Sequence, residues 1–162
     1  MIEDVSMKIR LLQPNDTVEW LRLRHALWPH QTPAQNAQEM GDIRANFAQM
    51  PVFVAEWSDG GLCGLVEVAI HDKAPGCKTT RIGYLEAWYV DPAWRRQGVG
   101  RQLVEAAEAW ALAQGCTEMA SDTNAGYPVS PTAHDRLGYA EVGRDIFFRK
   151  ILAPEEKQCR RK

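Results

Sequence analysis

The spacing of apolar and polar positions changes period along the chain, and each change predicts an element. Residues 8–12 read as a short first strand, and Pro14-Asn15-Asp16 as a turn with a helix N-cap. From Thr17 onward Val18, Leu21, Leu23 and Leu27 leave a helical stripe, interrupted by Arg22 and Arg24. Trp28-Pro29 ends that helix, because the residue before proline avoids the α region. Met40, Ile43 and Phe47 place a second helix over residues 34–47. Residues 51–57 and 62–70 predict two strands joined by a hairpin turn at Asp59-Gly60-Gly61. A polar loop over 71–80 leads to a central strand at 81–90, broken by Asp91-Pro92. Val99, Leu103, Ala107 and Trp110 give the apolar stripe of a long helix over 98–114, with Gly115 as its stop. A short strand at 117–121, a short helix at 130–137 closed by Gly138, and one or two strands within 141–152 complete the series. This order predicts an α/β protein, with a mixed central sheet of six to seven strands and helices on both faces.

The strand-to-helix junction carries the first chemical signal. Arg95-Arg96-Gln97-Gly98-Val99-Gly100 joins the central strand to the long helix. Backbone N–H groups at a helix start lack intrahelical partners and sit at the positive end of the helix dipole, so they suit an anion. Glycine removes the Cβ that would hold a phosphate away, and arginines add charge-assisted hydrogen bonds. The loop lacks the Gly-Lys-Ser/Thr ending of a nucleotide-triphosphate loop. The third glycine of a dinucleotide fingerprint is replaced by Leu103. What remains is Arg-x-x-Gly-x-Gly, read as the cradle of a phosphorylated cofactor; the competing reading is an arginine-rich turn before a surface helix.

Length and charge narrow the class. The 162 residues fit one domain, expected over 1–153, with a charged, aperiodic tail at 154–162. A net charge of −2 gives no global attraction to nucleic acid or anionic membrane, and no apolar run approaches a membrane span of roughly 20 residues. The first ten residues lack the apolar core of an export signal. Cys63, Cys77, Cys116 and Cys159 are scattered, and the four histidines show no metal spacing, so reduced thiols in a cytoplasm and no metal are expected. In the central strand Glu86 is a carboxylate within an apolar run, costly without a partner. Strand alternation would turn Glu86 to the face of Val90, four residues on. Asp122 closes the short strand after the long helix, where strand ends border a cleft, and a turn or cap is its other reading.

Several longer words sharpen the reading. They are Leu27-Trp28-Pro29, Tyr84-Leu85-Glu86, Tyr89-Val90-Asp91-Pro92, Glu118-Met119-Ala120-Ser121-Asp122-Thr123, His134 with Leu137-Gly138-Tyr139, and Phe147-Phe148-Arg149-Lys150. With the Arg-x-x-Gly-x-Gly turn they resemble the GCN5-related N-acetyltransferase (GNAT) superfamily over about residues 8–151. Within it they are most similar to the aminoglycoside 6′-N-acetyltransferases. The resemblance implies that acetyl-CoA donates an acetyl group to the 6′-amine of an aminoglycoside, and it implies a homodimer. It assigns the pantetheine arm to the backbone of Trp88, Tyr89 and Val90. The pyrophosphate falls to Arg95, Arg96, Gln97, Gly98, Val99, Gly100 and Arg101. The cationic acceptor falls to Glu86 and Asp122, with Trp28 as an aromatic wall or a core anchor.

Glu141, Asp72 and Glu67 are further pocket candidates, each with a solvated charge as its other reading. Glu86 or Asp122, directly or through a water, is the expected base, and the Val90 N–H the expected oxyanion donor. Relatives often read Phe-Tyr-Arg-Lys where this chain has Phe148, so the expected tyrosine acid is missing; Tyr127 is the alternative. Lys73 stands in the loop after residue 70, where a cation is unhelpful to a cationic substrate. A polyamine, another small amine or a protein N-terminus is the alternative acceptor, and a non-catalytic acyl-CoA sensor the alternative function.

Overall fold

Five strands, each made where an apolar run meets a neighbour able to share its ladder, form the sheet of the computed structural model, which describes residues 7–152. The strands are β1 (Lys8–Leu11), β2 (Val52–Glu56), β3 (Leu62–His71), β4 (Ile82–Val90) and β5 (Glu118–Ser121). They lie in the order β1-β2-β3-β4-β5, antiparallel from β1 to β4, with β5 parallel to β4. The parallel step needs a crossover, and helix α3 (Val99–Ala113) supplies it.

Helices cover both faces, as the pattern predicts. Helices α1 (Thr17–Leu27) and α2 (Pro33–Ala45) press Trp20, Leu23, Met40 and Ile43 onto Val52, Val54, Leu65 and Ala87. On the opposite face α3 inserts Val99, Leu103, Val104 and Ala107 against Ala55, Val66, Leu85 and Val90. The stop at Gly115 is left-handed, with φ 85°. Asp16 is not a side-chain cap. Its carboxylate instead takes Arg10 Nη1 at 2.7 Å and the Gln13 N–H at 2.7 Å, which ties β1 to the start of α1.

A short helix, α4 (Ser130–Asp135), follows β5. His134 fastens it structurally: Nδ1 donates to the Ser130 carbonyl at 2.8 Å, and Nε2 accepts from the Ser121 hydroxyl at 2.9 Å.

The last strands expected within 141–152 do not form, so the sheet has five strands rather than six or seven. The segment carries Val142, Ile146, Phe147, Phe148, Ile151 and Leu152 but finds no ladder partner among the described residues. Phe147 and Phe148 are 91% and 93% exposed. Strand-like composition makes a segment able to pair, and only a neighbouring edge makes it a strand. Among the described residues no helix is long and apolar enough to cross a membrane. The expected tail at 154–162, and Cys159 within it, lie outside the described residues.

Candidate active site

A β-bulge in the middle of the sheet builds the site. Val68 pairs with Leu85 and Glu67 with Ala87, so Glu86 is the extra residue on β4. A bulge breaks the two-residue alternation and re-aims a side chain. Glu86 therefore does not share a face with Val90, contrary to the alternation argument. Val90 packs in the core under α3, whereas Glu86 opens into a cavity on the α1/α2 side.

That cavity, of about 390 Å³, has Trp28, Gln31, Glu39, Asp42 and Glu86 in its walls, with Arg24 and Glu67 beneath. Glu67 is not the solvated charge expected. It is 3% exposed and joined to Arg24, itself 1% exposed, at 2.5 Å. Trp20 Nε1 donates to the other Glu67 oxygen at 2.7 Å. Arg24 also donates to Asn36 at 3.1 Å and to Glu39, and its guanidinium lies 4.8 Å from the centroid of the Trp28 ring. Burial pushes the Glu67 carboxyl up, against the charge of Arg24 and the two donated hydrogen bonds. The cavity lining thus holds four carboxyl groups, at Glu39, Asp42, Glu67 and Glu86, to one guanidinium, and it favours a cation. Gln31 Oε1 is buried without a partner among the described residues and remains free to accept. Trp28 is both things the sequence allowed, an anchor on Arg24 and a wall of the cavity.

The two predicted carboxylates belong to one connected array. Asp122, just beyond β5, accepts from the Tyr84 hydroxyl at 2.7 Å. The Tyr84 ring stacks on His71, with centroids 4.2 Å apart and planes 12° apart, and His71 Nε2 contacts Glu86 Oε1. Burial and the bond to Asp122 raise the Tyr84 hydroxyl, so it stays a donor. Glu141 stands apart, exposed and paired with Arg144. Asp72 and Lys73 are exposed and do not line the cavity. The Tyr127 hydroxyl donates to the Leu27 carbonyl at 2.7 Å, which fastens its turn to the end of α1.

Sequence reasoning passed over Arg24, Glu39, Asp42, His71 and Tyr84. Arg24 had a signal: it falls four residues after Trp20 and three before Leu27, on the buried stripe.

The other side of β4 fits acyl-CoA. β5 pairs with β4 only over Ile82–Leu85, so among the described residues no strand pairs with β4 on that side from Glu86 to Val90. The Asp91 N–H bonds the Cys63 carbonyl across β3 at 2.8 Å. Pairs in an antiparallel ladder alternate, so Val90, opposite Gly64, turns its N–H and C=O away from β3 toward the open side. Arg95 Nε donates to that carbonyl at 2.8 Å and the guanidinium lies over Tyr89, so Arg95 braces the strand end. Gln97 donates to Ala93 at 2.9 Å, and Arg101 to the Arg136 carbonyl at 3.2 Å. The side chains of Trp88 and Tyr89 pack on opposite cores.

Gly98 at φ 85° and Arg96 at φ 62° turn the chain into α3. The α3 start has no side-chain cap, and only Gln102 Nε2 lies within 4 Å of where a Gly98 Cβ would stand, at 3.8 Å. The Trp88 indole N–H is buried and unpartnered among the described residues, next to Gly100. Free N–H groups, an open glycine and a buried unpaired donor together fit a pyrophosphate. Gly98→Val puts a β-branched residue where the left-handed conformation costs roughly 1–2 kcal/mol. The turn reshapes, and CoA affinity measured by calorimetry falls about tenfold or more; an unchanged Kd refutes the cradle.

A five-stranded sheet whose fourth strand bulges at a carboxylate and parts from its parallel neighbour beside a glycine turn defines an acetyl-CoA-dependent acyltransferase. The acetyltransferase (GNAT) family profile matches residues 17–139, and the chain belongs to that family. It is 39% identical over 151 residues to the aminoglycoside N(6′)-acetyltransferase type 1 of Klebsiella aerogenes, covering 92% of this chain and 99% of that protein. It is similar to AAC(6′)-Iy bound to the bisubstrate analogue CoA-S-monomethyl-acetylneamine, with TM-score 0.78 and 35% identity over 90% of this chain and 99% of that one. The 6′-N-acetyltransferase AAC(6′)-IG of Acinetobacter haemolyticus superimposes with TM-score 0.80 at 33% identity, over 90% and 99% of the two chains.

Proposed function

We propose that this protein transfers the acetyl group of acetyl-CoA to the 6′-amine of aminoglycoside antibiotics by direct attack in a ternary complex, and so confers resistance to them. The observation that carries the reading is the carboxylate-lined cavity, with Glu86 at the bulge between that cavity and the open side of β4. A polycation is drawn to Glu39, Asp42 and Glu86, and its sugar ring has the Trp28 face as a wall. Bound along the open side of β4, acetyl-CoA supplies the acetyl group as a reactive thioester. The attacking amine must first lose a proton. Glu86 accepts it, and Asp122, fixed by Tyr84, holds a further amino group. The Val90 N–H faces the place where negative charge develops on the carbonyl oxygen. No nucleophilic cysteine is needed: Cys63 and Cys116 are buried, and burial pushes the Cys63 thiol up to about 11. Free thiols at Cys63, Cys77 and Cys116 support a reducing compartment, the cytoplasm.

Thiol release from acetyl-CoA in the presence of kanamycin or tobramycin tests the reading. Release with spermidine or a peptide amine but with no aminoglycoside rejects it in favour of another acceptor. No release with any amine rejects it in favour of an acyl-CoA sensor.

The exposed segment over 142–152 supports a homodimer in which each copy covers this apolar segment of the other. Val142, Ile146, Phe147, Phe148, Ile151 and Leu152 are all exposed, and β5 offers an edge with β4 on one side only. Light scattering gives twice the chain mass for the wild type. A variant with both Phe147 and Phe148 changed to Asp runs as a monomer. A wild-type monomer, or a double variant that stays dimeric, rejects the arrangement.

A further inference from the structure

We propose that Tyr127 is a positioning residue for the acceptor, and that its hydroxyl sets the separation between Asp122 and Trp28, the two walls that receive the aminoglycoside. The proposal rests on the acceptor reading above and adds to it a residue that acts through those two. Three observations carry it. The Tyr127 hydroxyl donates to the Leu27 carbonyl at 2.7 Å, across the chain from the β5–α4 loop to the end of α1. Among the described residues this is the only hydrogen bond that joins the loop over 122–129 to α1 or α2. The two residues it serves lie beside its ends: Trp28 follows Leu27 directly, and Asp122 opens the loop that carries Tyr127.

Each end of this strap is fixed by its own contacts. Asp122 accepts from the Tyr84 hydroxyl at 2.7 Å. The loop is then folded on itself: the Gly126 N–H meets Asn124 Oδ1 at 2.8 Å, the Tyr127 N–H meets the Asn124 carbonyl at 3.0 Å, and the Ser130 N–H meets the Tyr127 carbonyl at 3.0 Å. Pro128 further restricts the Tyr127 backbone. At the other end, the Trp28 N–H bonds the Arg24 carbonyl at 2.8 Å and the Trp28 ring lies against the Arg24 guanidinium. The Leu27 carbonyl belongs to the last turn of α1, where carbonyls have no intrahelical donor, so it is open to a side chain from elsewhere. β5 pairs only with β4, and nothing but the Tyr127 bond fixes where the loop stands relative to Trp28 among the described residues. An acceptor made of linked rings carries its ammonium groups at fixed separations, so walls held at a matching separation bind it without first being ordered. The same bond speaks against Tyr127 as the acid for the leaving thiolate. Its one hydroxyl proton is given to Leu27, and donation elsewhere would first break that link.

Tyr127→Phe removes the hydroxyl alone and tests the proposal. The KM for kanamycin, and its Kd measured by calorimetry, rise by roughly 3-fold to 10-fold, the size of one lost hydrogen bond. The kcat stays within about twofold, as for a loss of ground-state binding, and the Kd for CoA does not move. The Tm falls by no more than about 4 °C, so the variant is folded in the assay. A loss confined to kcat, with a shifted basic limb of its pH profile and an unchanged KM, makes Tyr127 the acid and overturns the proposal. An unchanged KM and Kd for kanamycin overturns it too, leaving the bond a local tie of the loop. Asp122→Asn keeps the bond to Tyr84 and removes the charge that the strap places. In that background Tyr127→Phe raises KM by less than about twofold, and a full multiplicative effect breaks the link to Asp122. Kanamycin turnover by the wild type tests the acceptor reading separately. If another amine is the one acetylated, the same KM comparison on that amine decides the role of Tyr127.

Discussion

Glu86→Gln lowers kcat/KM for kanamycin by roughly 100-fold to 10,000-fold, the range expected when a general base is removed. Each tenfold step corresponds to about 1.4 kcal/mol of lost transition-state stabilisation. Gln preserves the shape of the side chain at the bulge and can still meet His71 Nε2. What it loses is the charge that attracts the ammonium and the oxygen that takes its proton. The loss therefore falls chiefly on kcat, with a smaller rise in KM for the aminoglycoside. CoA affinity is expected to stay unchanged, because in the proposed arrangement the cofactor meets the open side of β4 and the turn at Arg96 and Gly98, not this carboxylate. Asp122→Asn has a smaller effect, since the amide oxygen still accepts from Tyr84. An equal fall in CoA binding for Glu86→Gln means that the bulge itself has collapsed, and it sinks the assignment.

Arg24→Met destabilises the fold by about 3–5 kcal/mol, the cost of leaving one partner of a buried ion pair uncompensated. For a domain of this size that is a fall in Tm on the order of 10 °C. Arg24 is the cation that joins α1 to β3 through Glu67 and to α2 through Asn36 and Glu39, under the ring of Trp28. Without it Glu67 keeps only the Trp20 N–H, and its carboxyl, already pushed up by burial, rises further. The folded state then holds a proton that the unfolded chain releases near pH 4.3. Stability of the variant is therefore greatest below that pH and is lost as pH rises toward the folded value. Calorimetric scans show a smaller gap from wild type at pH 5 than at pH 8. Adding Glu67→Gln, which still accepts from Trp20, recovers part of the loss and measures the coupling of the pair. A variant within about 2 °C of wild type at both pH values means that the network contributes nothing to stability.

These two residues show how the sequence divides into what can be read and what cannot. Glu86 was legible because a carboxylate in an apolar strand needs a reason, yet its direction was misread. Alternation assumes an unbroken ladder, and the register shift opposite Glu67 is a property of two strands together. Arg24 looked like an interruption of the α1 stripe, because hydropathy alone does not show that Glu67, Asn36 and Glu39 will converge on it. His71 belonged to a polar loop by pattern and is the last residue of β3 in the fold, where Tyr84 and Glu86 meet it.

By itself the sequence determined the order and type of the elements as far as α4, the two-faced covering of the sheet and the glycine turn into α3. All of these follow from local periodicity and from backbone conformations that only certain residues tolerate. Only the tertiary structure decided the face Glu86 takes and the neutralisation of the buried charges. It also decided the joining of Asp122 to Glu86 through Tyr84 and His71, and the failure of residues 141–152 to join the sheet. Each of these depends on which groups from distant parts of the chain come within hydrogen-bond reach, and spacing along one chain does not encode such distances.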